Sequence, residues 1–282
     1  MEKNLIDDNH NIKYSVLMSL YFKESPEHLI EALDSIFSQT IVSDDIILVE
    51  DGKIGEELEN VVYKYATNYP QLHVVRFKYN RGLGYALNDG LKECRHEYVA
   101  RMDTDDIAKC DRMQKQLAYL DEHPNIDVVG TWVDEFFDDT KHILSSRKLP
   151  EEAEEIYRLG KKKNPMNHPT VMFRKSAVLA AGGYKHFLLF EDYYLWVRML
   201  MNGNRLANIQ DSLLYFRTSP QMMKRRGGIK YALVEMHFFI TLHKMGYTNM
   251  IETIANIARR FPVRIMPNCM RNFIYRKIIR RE

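Results

Sequence analysis

Two groups of carboxylates are the residues of this sequence best suited to do chemistry. The first is Asp103-Thr104-Asp105-Asp106, directly after the apolar residues 98–102. Alternate residues of an extended backbone share a face, so Asp103 and Asp105 project the same way. Two carboxylates so close repel each other unless a cation or hydrogen-bond donors lie between them, and their hard oxygen atoms suit Mg²⁺ or Mn²⁺. The motif therefore predicts a divalent-metal site, with a solvated acidic turn or a helix cap as the alternative.

The second group is Glu191-Asp192, at the start of a predicted helix that continues with Leu195 and Trp196. At a helix N-terminus the macrodipole and the free backbone N–H groups favour an ionised carboxylate, which is the form that a general base needs. The alternative is that both are ordinary first-turn acids. His168 is a further candidate, for binding an acceptor or a phosphate, although a single histidine is more often a structural hydrogen-bonding residue.

Two glycine-containing segments are suited to binding phosphate. Residues 80–84 (Asn-Arg-Gly-Leu-Gly) form a turn that opens a predicted helix and can present backbone N–H groups. Their spacing matches neither of the two common glycine-rich phosphate motifs, so this signal is weak alone. In residues 223–228, Arg225 and Arg226 precede two glycines, which permit movement, and guanidinium groups match phosphate oxygens. We expect this second segment to form a loop near phosphate.

The elements that must position these residues alternate along the first half of the chain. Apolar strands are predicted at 16–21, 46–49, 72–77 and 98–102, with amphipathic helices between them. Such alternation predicts a mainly parallel sheet with helices on both faces, and open sheets bind ligands at the carboxyl ends of their strands. The polar residues predicted at those ends are Ser19, Tyr21, Glu50, Asp51, Asn80, Arg81 and the acidic cluster at 103–106.

Composition limits the class of protein. The chain has 282 residues, 45% of them apolar, so a large core can form and wholesale disorder is excluded. No apolar run approaches the ~18 residues of a membrane-spanning helix, and the first residues lack the basic-then-apolar layout of a secretory signal. Cys94, Cys110 and Cys269 share no close spacing, which argues against disulfides or structural zinc and fits a reducing compartment. We therefore expect a cytoplasmic protein.

The charge is distributed unevenly along the chain. The net charge is +2, but residues 221–282 contain thirteen Lys and Arg against three acidic residues. Basic side chains are interleaved with Ile, Phe and Tyr through 254–281, a pattern that favours binding to a membrane surface, where each basic residue near anionic lipid contributes ~1 kcal/mol. A solvated helix face and a nucleic-acid patch are alternatives, but nothing else suggests nucleic-acid recognition, so no such partner is expected.

Five motifs, in order, resemble those of one enzyme family. They are the strand at 14–21 with Ser-Ile-Phe-Ser-Gln-Thr at 35–40, Ile-Leu-Val-Glu-Asp-Gly at 47–52, Asn-Arg-Gly at 80–82 with Ala-Leu-Asn-Asp-Gly at 86–90, Arg-Met-Asp-Thr-Asp-Asp at 101–106, and Phe-Glu-Asp-Tyr-Tyr-Leu-Trp at 190–196. Over about residues 13 to 217 the sequence resembles the inverting family 2 glycosyltransferases with the glycosyltransferase-A (GT-A) fold. The resemblance is greatest to bacterial enzymes that build capsule, exopolysaccharide or O-antigen.

This resemblance implies an α/β fold, with a Rossmann-like, mainly parallel twisted sheet and helices on both faces. The implied GT-A domain spans 1–219, with a nucleotide-binding half at about 13–110 and an acceptor half at about 111–219. Residues 220–282 are then a C-terminal basic amphipathic helical extension.

The resemblance also implies roles in binding the donor. Ser19, Tyr21 and Asp51 border the nucleobase, and Asp51 accepts a hydrogen bond from a uracil ring. Arg81 lies near the base or the phosphates, and Asp103 reaches the ribose. The implied donor is a nucleotide-sugar, namely a UDP-sugar, although the family does not fix the sugar.

For the reaction itself, the resemblance implies that Asp105, together with Asp103, holds Mn²⁺ or Mg²⁺ at the diphosphate. Such a metal stabilises the leaving diphosphate as a Lewis acid. Asp192, in a pair with Glu191, is the implied general base for the acceptor hydroxyl. Attack of this hydroxyl from the face opposite the diphosphate inverts the anomeric configuration.

Two positions depart from the family pattern, and two other functions stay open. The family more often has Asp at the position of Glu50, and Arg101 is an unusual cation beside the acidic motif, where it could pair with Asp103. The implied acceptor is a saccharide, typically lipid-linked, so a peripheral position at the inner face of the cell membrane is expected. The alternatives are a sugar-nucleotide pyrophosphorylase, whose glycine-rich basic loop is missing from residues 18–22, and a catalytically idle adaptor at the membrane surface.

Overall fold

The computed structural model describes residues 12–219 and 226–266, and within these ranges nine strands form one sheet. The strands are β1 (Tyr14–Leu20), β2 (Asp45–Glu50), β3 (Leu72–Arg76), β4 (Tyr98–Asp103), β5 (Ile107–Ala108), β6 (Val128–Phe136), β7 (Ser145–Arg147), β8 (Met172–Arg174) and β9 (Leu206–Arg217). Their spatial order is β3-β2-β1-β4-β8-β6-β9-β5, and β7 also pairs with β6.

The first four strands are parallel, as the alternation of strands and helices predicts. Ser19 on β1 lies level with Val49 on β2 and with Asp103 on β4. The carboxyl ends of these strands therefore meet at one edge of the sheet. Side chains of β1 alternate between the two faces, so that Val16 and Met18 enter one apolar cluster and Leu17 enters the other.

Helices cover both faces of the sheet. They are α1 (Pro26–Phe37), α2 (Glu56–Asn68), α3 (Leu83–Glu93), α4 (Arg112–Glu122), α5 (Ala153–Gly160), α6 (Lys175–Ala180), α7 (Glu191–Met201), α8 (Ile229–Lys244) and α9 (Met250–Ile265). The α1 helix begins as its sequence indicates, because Ser25 caps its first turn and Pro26 is its first residue. The α1, α2 and α4 helices pack on the cluster that contains Val16, whereas α3 and α5 to α8 pack on the cluster that contains Leu17.

The second half of the sheet is mixed. Between β4 and β6, β8 runs antiparallel to both, and β9 runs parallel to β6. The far end of β9 pairs with the short strand β5, so that Tyr215 lies opposite Ile107. This pairing brings the last residues of β9 beside the acidic cluster that follows β4.

The two C-terminal helices pack against the rest of the chain. Phe238, Phe239 and Leu242 of α8 are buried in the same cluster as α7. Glu235 of α8 and Arg264 of α9 form a buried ion pair, with Nε–Oε2 at 2.8 Å and Nη2–Oε1 at 2.9 Å. The boundary predicted between 219 and 220 falls at the start of residues 220–225, which, like 267–282, lie outside the described residues. None of the helices described here is long and apolar enough to cross a bilayer.

Candidate active site

Three carboxylates follow β4 and lie together. Asp103, Asp105 and Asp106 each have a carboxylate oxygen within 4.8 Å of the others. One oxygen of Asp106 accepts a hydrogen bond from the backbone N–H of Arg217 at 2.8 Å, and the other is buried without a hydrogen-bond partner in the described part of the chain. The Nε of Arg217 also donates to the backbone carbonyl of Asp105 at 2.8 Å. Asp106, which the sequence did not single out as a ligand, therefore belongs to this cluster.

The electrostatics of this cluster suit a bound cation. Burial, together with the negative charges of Asp103 and Glu24, raises the pKa of Asp105 to about 7. Burial, followed by the charges of Asp105 and Asp103, also raises the pKa of Asp106 well above its usual value. A divalent cation would offset this repulsion, and it would give the unpartnered oxygen of Asp106 a ligand role. The residues present therefore fit Mn²⁺ or Mg²⁺.

Arg101 is buried next to the cluster, with 1% of its surface exposed. Its Nη2 donates a hydrogen bond to Asp103, so the pairing that the sequence left open is found. Its Nε and Nη1 have no hydrogen-bond partner within the described ranges. A buried guanidinium with free donors is costly unless anionic groups surround it. Arg101 is thus positioned to counter negative charge at the end of β4.

Asp192 lies in the first turn of α7, as predicted. Its Oδ2 accepts a hydrogen bond of 2.6 Å from the side-chain amide of Asn164. Burial raises the pKa of Asp192, while the backbone N–H of Tyr193, the amide of Asn164 and the guanidinium of Arg101 act to lower it. Arg147 at the end of β7 acts in the same direction. The carboxylate is therefore a stronger base than an exposed aspartate, and the side chain of Asn164 helps to hold it in place.

Arg101 links the two acidic groups. The charge of Asp103 raises the pKa of Arg101, and the charge of Arg101 lowers the pKa of Asp192. Tyr184 also interacts electrostatically with Arg101, Asp192 and Asp103. Because Coulomb interactions weaken with distance, these effects indicate that Arg101 and Tyr184 lie near the carboxylates after β4 and also near Asp192 at the start of α7.

Glu191, the neighbour of Asp192, lies against the start of α3. Burial, together with the negative charge of Asp192, raises the pKa of Glu191 to about 7. A Cβ placed on Gly84 would lie 3.1 Å from Cγ of Glu191 and 3.5 Å from Cα of His186. The absence of a side chain at Gly84 therefore lets residues 186–191 pack closely on the start of α3.

Asp51 fixes the turn at residues 80–82. Its two carboxylate oxygens accept hydrogen bonds from the backbone N–H groups of Arg81, at 2.7 Å, and Gly82, at 2.9 Å. The sequence predicted that backbone N–H groups of this turn could bind phosphate, but in the structure these two donate to Asp51. Gly52 approaches the same turn with φ of +89°, and a Cβ at this position would lie 2.5 Å from the backbone nitrogen of Asn80. Only glycine fits there.

The other predicted donor-binding residues line the same edge of the sheet. Ser19 and Tyr21 are partly exposed at the end of β1. The guanidinium of Arg81 pairs with Asp89 at 2.8 Å and lies over the rings of Phe77 and Tyr85. The predicted roles of all three in binding the donor stay predictions.

Glu50 and His168 have partners that favour structural roles. Glu50, whose role was left open, is buried and pairs with Nε of Arg76 at 3.0 Å. His168 is buried, with Nε2 3.0 Å from the hydroxyl of Tyr184, and it contacts the ring of Trp196. Burial and the charge of Arg101 lower its pKa well below the usual value, so its imidazole is neutral. These contacts favour the structural alternative over phosphate binding by His168.

The two arginines predicted to lie near phosphate are only partly described, because Arg225 lies outside the described residues. The backbone carbonyl of Arg226 accepts a hydrogen bond from Nη1 of Arg264 at 3.0 Å. Desolvation, followed by the charge of Arg226, lowers the pKa of Arg147, whereas the charge of Asp192 acts to raise it. Arg226 and Arg147 therefore lie close enough to repel each other, on the side of the site where Asp192 lies.

Several side chains at the site were missed in the sequence. Asn164 holds Asp192, Arg147 approaches it, and Arg217 contacts the acidic cluster, yet the three come from a loop, from β7 and from β9. None has a local motif of its own. The one available signal was the polar Asn164 between three lysines and Pro165, which resembles an ordinary loop.

Comparisons with known proteins identify the family of this chain. Residues 15–182 match the family described as "Glycosyl transferase family 2". The Escherichia coli UDP-Gal:alpha-D-GlcNAc-diphosphoundecaprenol beta-1,3-galactosyltransferase is 38% identical over 269 residues, which cover 95% of this chain and 97% of that protein. The amylovoran biosynthesis glycosyltransferase AmsE of Erwinia amylovora is 39% identical over 264 residues, which cover 94% of this chain and 98% of that one.

Among solved structures, the mannosyltransferase PcManGT from Pyrobaculum calidifontis, in complex with GDP-Man and Mn²⁺, aligns with a TM-score of 0.66 at 15% identity. The alignment covers 95% of this chain and 77% of that one. The fold is therefore that of the GT-A glycosyltransferases, as the sequence motifs implied. The chain belongs to glycosyltransferase family 2 and is a glycosyltransferase.

Proposed function

We propose that this enzyme is a metal-dependent, inverting transferase that moves a sugar from a UDP-sugar to a lipid-linked saccharide during synthesis of a bacterial surface polysaccharide. The observation that supports the proposal is that Arg101 donates a hydrogen bond to Asp103 and that its charge also acts on Asp192, so that the metal-type cluster and the candidate base would share one site. The relative that uses UDP-Gal and a diphosphoundecaprenol acceptor supports the choice of substrates. The relative named for amylovoran biosynthesis supports the pathway class.

The donor would bind at the carboxyl ends of the parallel strands. Asp103, Asp105 and Asp106 would hold Mn²⁺ or Mg²⁺, and such a cation, when bound, stabilises negative charge on a leaving diphosphate. Asp51 holds the turn at 80–82 in a fixed position, which preserves the shape of the edge where Ser19 and Tyr21 would meet the nucleobase.

Asp192 would accept the proton of the acceptor hydroxyl. An exposed aspartate has a pKa of about 3.9 and is a weak base towards an alcohol. Burial strengthens Asp192 as a base, and the amide of Asn164 helps to fix the orientation of its carboxylate. Direct displacement by the hydroxyl inverts the sugar carbon and needs no nucleophile from the protein.

Arginine side chains would bind the phosphates of the acceptor. The charges of Asp192 and Glu135 act on Arg147, and Arg226 adds a second positive charge nearby. Two guanidiniums that repel each other gain from a shared anion, and they match phosphate oxygens well. We place the diphosphate of the lipid-linked acceptor between them, with Arg225 as a further candidate.

The test is transfer from radiolabelled UDP-Gal to synthetic GlcNAc-diphosphate-lipid, with and without Mn²⁺. We expect Asp192→Asn to lower kcat by about 10²–10⁴-fold with little change in UDP affinity, because it removes a proton acceptor and no donor contact. Asp127→Asn is the matched control, since Asp127 also accepts from an asparagine side chain, that of Asn204 at 3.0 Å, and is not part of the site. Full activity of Asp192→Asn, or activity unaffected by removal of divalent metal, would contradict the proposal.

A further inference from the structure

An apolar groove lies beside the candidate active site. It has a volume of about 390 Å³ and is lined by His186, Phe187 and Leu188 on one side and by Leu233, Val234 and His237 of α8 on the other. Leu188 is 53% exposed and Leu233 is 46% exposed. Phe187 forms its floor, with its ring 5.6 Å from that of His237 and 5.1 Å from that of Phe238.

One wall of the groove is close to the site along the chain. Residues 186–188 come shortly before Glu191 and Asp192, and both His186 and Glu191 pack on Gly84. Leu189, between them, has φ of +69°, which is unusual for a residue that is not glycine, and its side chain is 50% exposed. A strained backbone that holds two leucines towards solvent beside a catalytic helix indicates a binding role rather than a packing role.

On its other side the groove leads to the arginines. Ile229 and Leu233 are exposed on α8, and with His237 they recur every four residues and share one face. This stripe spans about 12 Å along the helix, given a rise of 1.5 Å per residue. Its first residue comes three positions after Arg226, whose charge acts on Arg147 next to Asp192. Positive charge therefore lies at the start of the stripe and apolar surface lies along it.

We propose that this groove binds the isoprenoid chain of the acceptor, with the diphosphate at Arg147 and Arg226 and the first chain units against Leu233, Val234 and Leu188. The inference rests on the proposed function, because it assigns a site to the lipid part of that acceptor. The charge pattern selects the occupant: an isoprenoid diphosphate has an anionic end followed directly by an apolar chain, and the protein has cations followed directly by an apolar stripe.

The experiment measures binding of farnesyl diphosphate and methyl diphosphate to the full chain by calorimetry, with UDP and Mn²⁺ saturating the donor site. The two probes share a charged end and differ in the chain. We expect farnesyl diphosphate to bind at least about tenfold more tightly. We expect Leu188→Asp and Leu233→Asp each to remove most of this difference while leaving methyl diphosphate affinity unchanged. Ile254→Asp, at a 59% exposed isoleucine of α9, is the matched control and should retain the difference.

Other occupants give different results. Equal affinities for the two probes, or an equal loss in Ile254→Asp, would overturn the inference. If Leu188→Asp or Leu233→Asp still binds farnesyl diphosphate tightly but no longer binds anionic vesicles, the groove contacts the bilayer surface. That result would also overturn the inference. If farnesyl diphosphate binds tightly only to a chain truncated after Met266, residues 267–282 are the natural occupant of the groove. That result would overturn the inference as well.

Further measurements complete the test, and the first of them, binding of UDP, separates this inference from the proposed function. If UDP does not bind, the proposed function fails. If UDP binds but the isoprenoid chain of the probe makes no difference to its affinity, only the assignment of the groove fails. A benzophenone-bearing isoprenoid diphosphate should label peptides containing 186–190 or 229–237, and labelling confined to other peptides would contradict the inference. Unchanged circular dichroism of the aspartate variants would show that they are folded.

Discussion

The hydrogen bond between Asn164 and Asp192 offers the most direct test of the candidate base. The amide donates to the charged form of the carboxylate at 2.6 Å and so lowers its pKa against the effect of burial. Removing a donor to the charged form makes the carboxylate easier to protonate. Asn164 is thus expected to determine the pH at which Asp192 becomes an active base.

We expect Asn164→Ala to move the acidic limb of the kcat/KM profile to higher pH. A general base is active when deprotonated, so activity falls as pH drops through its pKa, and a raised pKa places this fall at higher pH. The shift is measured on transfer kinetics from about pH 5 to 9. Asn204→Ala, which removes the equivalent donor to Asp127, should leave the profile unchanged. An acidic limb that does not move would show that another group controls it.

Among the elements, α8 and α9 are joined by the ion pair between Glu235 and Arg264. Both side chains are buried, and Nη1 of Arg264 also donates to the carbonyl of Arg226. The backbone N–H of Gly228 donates in return to the carbonyl of Arg264 at 2.8 Å. One buried arginine of α9 therefore both stabilises the helix pair and anchors the segment that carries Arg226.

We expect Arg264→Met to lower the free energy of unfolding by about 3–5 kcal/mol, because it leaves Glu235 buried without its main partner. Urea denaturation measures this change. Arg260→Met is the matched control: Arg260 contacts the same carboxylate at 3.1 Å but is 29% exposed, so its removal should cost much less.

The double variant Glu235→Leu with Arg264→Met should recover much of that stability, since it leaves no unpaired buried charge. If it is as unstable as Arg264→Met alone, loss of packing rather than an unpaired charge is responsible.

At the scale of the whole molecule, the basic C-terminal end is expected to hold the enzyme at a membrane. Residues 267–282 include five Lys and Arg and one acidic residue. Truncation after Met266 keeps α9 and its ion pair, whereas removal of α9 would leave Glu235 buried without Arg264. The shorter deletion therefore separates membrane binding from stability.

We expect the chain that ends at Met266 to bind anionic vesicles at least about tenfold more weakly, since each basic residue near anionic lipid contributes ~1 kcal/mol. Co-sedimentation measures this binding, and UDP-sugar hydrolysis by the truncated chain should stay at the level of the full chain. Binding of the full chain should also fall in high salt. Equal binding by both chains would contradict the prediction.

The sequence predicted those parts of the molecule that local patterns encode. The parallel strands follow from apolar runs and helical spacing, and the carboxylates after β4 and at the start of α7 follow from motifs. Arg147, Asn164 and Arg217 could not be predicted, because each reaches the site through tertiary pairing of distant elements. The mixed second half of the sheet was missed for the same reason, since the three-residue β8 is too short to show a period.

The alternation of side chains along β1 has a practical consequence for engineering. α8 packs on the cluster that contains Leu17, whereas α1, α2 and α4 pack on the cluster that contains Val16 and Met18. Exchanging residues 226–266 for the equivalent segment of a relative would therefore repack one side of the sheet and leave the opposite side intact. The chain is therefore suited to chimeras that exchange the segment proposed to bind the acceptor and keep the strand ends proposed to bind the nucleotide.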